Sequence, residues 1–124
     1  MDKLINYIAE IVPVEIIELA AEHVDMFFTY SMKESGVDND GQSFWGCRTD
    51  AGKKLAAVGV AEEAIETGRD YAVMVWLHEL SHVICERGHT ELFHSMLDQL
   101  IIETNSQSGT QIESDYYDLD PELF

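Results

Sequence analysis

Apolar residues recur along the chain at two spacings, and the change from one to the other divides it into elements. Leu4, Ile5, Ile8 and Ile11 share one face of a first helix. Pro13 suits the first turn of a second helix, where the N–H it lacks would have no intrahelical partner anyway. Val14, Ile16, Ile17, Leu19, Ala20, Ala21 and Val24 give that helix a broad apolar stripe. From Phe28 the period falls to two. Phe28, Tyr30 and Met32 alternate with Thr29, Ser31 and Lys33, which predicts a half-buried strand, with a helix continued through Tyr30 as the alternative. Residues 36–41, bounded by Gly36 and Gly41, read as a loop. Two more strands are expected at 43–49 and 55–60, as antiparallel neighbours joined through Asp50-Ala51-Gly52. Residues 62–70 form a connection with a helical turn and a break at Thr67-Gly68.

The helical period then returns. Ala72, Val73, Val75, Trp76, Leu77, Leu80, Val83 and Ile84 make a helix over 70–87 that is apolar on much of its circumference, so it belongs at the centre of the domain. Asp70 is its expected N-cap and Gly88 its stop. A last helix over 90–103 turns Leu92, Phe93, Met96, Leu97, Leu100 and Ile101 inward. No Lys or Arg follows Arg87, and the end of the chain carries Glu113, Asp115, Asp118, Asp120 and Glu122. The expected organisation is one α+β domain over 1–104 and an acidic, loosely held tail over 105–124.

Composition narrows the function classes. With 124 residues and 46% hydrophobic content the chain can bury a single core. Seven basic residues face 24 acidic ones, a formal charge of -17, which repels phosphate backbones and anionic lipid; it marks a halotolerant or simply very soluble protein, with a preference for cationic partners as the sharper alternative. Nucleic acid and membrane are therefore not expected as partners. The N-terminus shows no basic region followed by a cleavage site, and Cys47 and Cys85 are too few for a disulfide scaffold. The expected compartment is cytoplasmic, with both thiols free.

The central helix also carries His78-Glu79-Leu80-Ser81-His82. Histidines at i and i+4 project from one helical face a turn apart, so both imidazoles can reach one ion. Glu79, about 100° around the helix from His78, can address a metal-activated water instead of the metal. A catalytic zinc site takes three protein ligands, so a third is needed. His89 is the favoured one: on a continued helix it would lie about 16 Å from His78 along the axis, but Gly88 lets the chain fold back. Glu91 and His94 on the last helix, and Cys85 a turn beyond His82, are the alternatives. His23 has no expected role at the metal.

With these features in place, residues 44–100 resemble the SprT-like and related minimal zincin metallopeptidases. The resemblance rests on Trp45-Gly46-Cys47-Arg48, on the strand over 55–60, on the His78–His82 motif, and on Gly88-His89-Thr90-Glu91-Leu92-Phe93. It implies a zincin-like α+β fold: N-terminal helices, a three-stranded antiparallel-type meander, the motif helix and a closing helix. It also implies His78, His82 and His89 as Zn2+ ligands and Glu79 as catalytic base. The six residues between His82 and His89 match members with the short spacer. The acidic charge departs from the DNA-linked relatives, and no separate recognition domain is expected.

The expected function is a zinc-dependent peptidase that hydrolyses peptide bonds of a peptide or protein substrate, cationic ones preferred, with Glu79 as general base. The alternatives are a catalytically silent zincin-fold binding module that keeps its metal, and a structural zinc with four protein ligands. The acidic tail is a candidate autoinhibitor: Asp115 or Asp118 would occupy the open metal position while Tyr116 and Tyr117 cover the groove. The competing expectation is a tail that only adds solubility.

Overall fold

The computed structural model describes residues 2–33, 40–86, 88 and 90–113. Helix α1, Lys3–Ile11, begins at Asp2, whose carboxylate accepts the backbone N–H groups of Leu4 and Ile5. It buries Leu4, Ile8 and Ile11 and leaves Ile5 partly in solvent. Helix α2, Val14–His23, follows an extended Pro13 and buries only Ile16 and Ala20. Val14 and Ile17 are exposed, so the broad apolar stripe expected for this helix is in fact a narrow one. Only one side of α2 meets the rest of the domain, against the central helix and the first strand.

Strands β1 (Met26–Met32), β2 (Gly41–Arg48) and β3 (Lys54–Ala61) form one sheet in the order β1-β3-β2. The hairpin of β2 and β3 is antiparallel as expected, but β1 runs parallel to β3. The antiparallel-type meander is thereby corrected to a mixed sheet. Alternation along a strand tells which side chains share a face and is silent on which strands are neighbours. Placing β3 in the middle gives both hydrogen-bonding edges to the most apolar strand, Lys-Leu-Ala-Ala-Val-Gly-Val-Ala, and keeps the more polar strands at the rims.

The face of β1 also differs from expectation. Phe27 packs on the core and Thr29 receives a hydrogen bond from it, while Phe28 is 49% exposed. A strand of seven mostly uncharged residues alternates in either phase, so period two alone does not select the inward set. On the outer face the cross-strand rows read Phe28–Ala57–Phe44 and Tyr30–Gly59–Gln42. There the Tyr30 ring lies over Gly59, where a Cβ would come within 2.5 Å of it.

Helix α3, Glu62–Thr67, ends at Gly68, whose φ of 153° breaks the chain before α4, Arg69–Cys85. Asp70 lies inside the first turn of α4, where its charge suits the helix dipole, and Gly68 takes the cap position. The helix stops at Glu86 rather than Gly88: Glu86 adopts the left-handed conformation at φ 52° and its N–H bonds to the carbonyl of His82. Lys54 pairs with its carboxylate at 2.6 Å. Helix α5, Glu91–Ser108, is capped by Thr90, whose hydroxyl accepts the N–H of Phe93. It continues past the expected end near Glu103 to Gly109. Beyond it Asn105 binds the backbone of Ile112, which is buried; residues 114–124 lie outside the described part.

Five helices and a three-stranded mixed sheet thus make up the described α+β fold. Helix α4 is its axis, packed against β2 and β3 on one side and against α1, α2, α3 and α5 elsewhere. From Ala72 to Ile84 every residue but His78 is buried. Trp76, 1% exposed, anchors the sheet: its indole N–H bonds to Thr29 Oγ1 at 3.1 Å and its ring meets Phe27 edge-on. Thr29→Val keeps the volume and strands this N–H. The expected cost is about 1–2 kcal/mol, seen as a lower urea midpoint with an unchanged slope.

Candidate metal centre

Helix α4 turns one polar stripe toward β2. His78 and His82 meet there with ring centroids 5.1 Å apart, and His78 Nε2 lies 3.7 Å from Glu79 Oε2. One ligand atom from each of His78, Glu79 and His82 lies within 4.8 Å of the others, so the group could hold a metal ion. All three are largely withdrawn from solvent: Glu79 is 9% exposed, His82 7%, and the His78 side chain 13%. Burying such groups inside an apolar helix has a substantial desolvation cost, which a bound cation would offset.

Strand β2 forms the roof. Gly41 sits directly over Glu79, and a Cβ there would fall 2.7 Å from Val75 Cγ1 and 2.8 Å from Glu79 Cγ. The glycine is required by this close approach of strand and helix, not by its backbone angles. Next along the same face stands Ser43, whose side chain favours the charged form of the Glu79 carboxyl. Trp45 then lies on His82, ring centroids 5.7 Å apart and planes 8° from parallel. The start of β2 is tied down twice: Asp40 accepts the Tyr71 hydroxyl with its carboxylate and the Ala61 N–H with its carbonyl. From α5, Phe93 closes the site, 4.2 Å from His82 and 4.9 Å from His78 by ring centroids.

The Glu79 carboxyl is pushed up from 4.5 to about 7, chiefly because burial penalises its charged form, with the Ser43 hydrogen bond pulling the other way. Burial and the nearby Glu79 charge also raise the Tyr30 phenol. A carboxylate that ionises near neutrality is matched to taking and returning a proton at physiological pH.

His78, Glu79 and His82, named from the helical spacing, are therefore brought together. His89 lies outside the described residues. The three alternatives for the third ligand do not join the group: among the described residues no cluster includes Cys85, Glu91 or His94. Cys85 is directed to the carbonyl of Leu92, Glu91 is exposed in the first turn of α5, and His94 lies edge-on against Phe93. Reading the helix motif alone missed Gly41 and Ser43. The signal was present: counting back by two from Trp45 along the strand reaches both. The chain matches no family model, no curated protein and no solved structure.

The Glu79 shift has a consequence for the metal-free protein. The folded state holds the Glu79 proton up to about pH 7 while the unfolded chain releases it near 4.5. Its contribution to stability is whole below 4.5 and is lost as pH rises through 7. Glu79→Gln removes that loss. The metal-free variant should match wild type at pH 4 and exceed it by up to about 3 kcal/mol at pH 8. Parallel stability curves for the two proteins across this range would contradict the burial-driven shift.

Proposed function

We propose that this protein is a zinc-dependent peptidase with a zincin-like fold, in which His78 and His82 hold the metal and Glu79 acts as general base. One observation carries the reading: a buried carboxyl, poised near pH 7, beside two imidazoles on the same helix. Imidazole nitrogens are donors that zinc favours, and a third ligand completes such a site, with His89 the proposed one. When bound, zinc supplies Lewis-acid polarisation of the scissile carbonyl and lowers the pKa of water.

The chain's own residues would do the rest. Glu79 takes the proton of the attacking water and passes it to the leaving amine. Ser43 favours the charged, proton-accepting form of the Glu79 carboxyl. Among the described residues strand β2 is an outer strand of the sheet, paired with β3 on one side only, and it runs beside Glu79 and His82. Its outer edge can hold an extended peptide by strand addition, so backbone hydrogen bonds give affinity and side chains add selectivity. The charge of -17 favours cationic polypeptides as substrates and disfavours nucleic acid.

The test uses the full chain, loaded with zinc and dialysed. Wild type should retain about one equivalent, and His78→Ala or His82→Ala should retain none. Glu79→Gln should keep the zinc and lose at least about a hundredfold in cleavage of an unstructured cationic polypeptide. Zinc retained by both histidine variants would refute the site. Cleavage undiminished in Glu79→Gln would refute the base. Zinc uptake with no cleavage by wild type of any such substrate would point to the silent binding module.

A further inference from the structure

We propose that Trp45 is a positioning residue for the site, holding the His82 imidazole in one orientation. This rests on the metal-site reading for its purpose, although the orientation itself can be read without metal.

The torsion that turns a histidine ring about its Cβ–Cγ bond has broad, roughly two-fold minima. A metal-binding imidazole therefore needs an outside constraint to keep one nitrogen aimed at the ion. Partners that orient such a ring matter nearly as much as the ring itself. His82 meets two aromatic rings from different elements, both nearly parallel to it: Trp45 of β2, 8° away, and Phe93 of α5, 22° away. Against flat neighbours lying nearly parallel to it, an imidazole can slide in its plane but meets them when it turns out of that plane.

The strand is built to deliver this contact. Phe44 pairs with Ala57 and Cys47 with Leu55, so Trp45 and Gly46 together stand opposite the single residue Ala56. That is a β-bulge, which twists the strand locally and re-aims the side chain beside it. Gly46 has φ +77°, and a Cβ there would touch nothing within 4 Å. The glycine serves the backbone conformation alone. An irregularity placed in the strand that roofs the site, next to the side chain by which that strand stacks on His82, fits a device for aiming that side chain.

Trp45 is half-buried at the rim of the core, so its replacement leaves the main core intact. The inference is tested on the full chain with three variants: Trp45→Phe, which keeps a flat face, Trp45→Leu, which keeps bulk without one, and Trp45→Ala. Zinc affinity should stay within about threefold of wild type for Trp45→Phe and fall about tenfold or more for the other two. Cobalt(II) spectra should change for Trp45→Leu and Trp45→Ala and not for Trp45→Phe. A merely structural role would lower melting temperature without altering the cobalt spectrum of the folded protein. In metal-free protein, proton NMR should show one sharp set of His82 ring signals in wild type and broadened or multiple sets in Trp45→Leu. Wild-type zinc affinity and cobalt spectrum in Trp45→Leu, with a single sharp His82 ring set, would overturn the inference. Wild type that takes up no zinc would refute the metal reading alone, because the NMR comparison still decides whether Trp45 orients His82.

Discussion

A carboxyl group withdrawn from water beneath a strand is the constraint around which the rest of the structure is arranged. Glu79 sits in the buried middle of α4, and burial pushes its ionisation up toward neutrality. A polar group in that position is tolerated only if its surroundings answer it. Ser43 favours its charged form from the strand, His78 stands alongside, and Gly41 leaves the space that any other residue would fill. The placement of Gly41 and Ser43 requires β2 to lie close over the helix. The tethers at Asp40 to Tyr71 and to Ala61 keep it there.

The same closeness joins stability to chemistry. Helix α4 is the scaffold for nearly every other element, and its apolar residues supply much of the core. The side chains of the candidate site thus project from a helix buried along most of its length, which favours a fixed geometry over an adaptable one. Aromatic rings from β2 and α5 complete the enclosure around the histidine pair. In the metal-free state this arrangement holds Glu79 protonated over part of the physiological range, a cost to stability that a bound cation would reverse.

Much of this was legible in the amino-acid sequence, for reasons that differ by element. The helical period placed α1, α4 and α5, and the spacing of His78 and His82 on a buried helix put them on one face. The hairpin of β2 and β3 followed from alternation and a turn. The position of β1 did not, because side-chain alternation carries no information on strand order, and its uncharged residues fit either phase. Helix ends were less legible than helix cores: Glu86 takes a left-handed conformation at the end of α4 although Gly88 stands two residues on. The roof of the site was hidden for another reason. Gly41 and Ser43 matter through contact with a helix more than thirty residues away, and local pattern is blind to that.

The proposed metal site is tested most directly by X-ray absorption at the zinc edge on the full chain loaded with one equivalent. A site built on His78 and His82, with an open position near Glu79, predicts only nitrogen and oxygen neighbours at about 2.0–2.1 Å, with multiple-scattering features from at least two imidazoles. Those features should vanish in the doubly substituted His78→Ala, His82→Ala protein. A sulfur neighbour at about 2.3 Å would place Cys85 or Cys47 on the metal and contradict the proposed site. An unchanged spectrum in the double variant would contradict it as well.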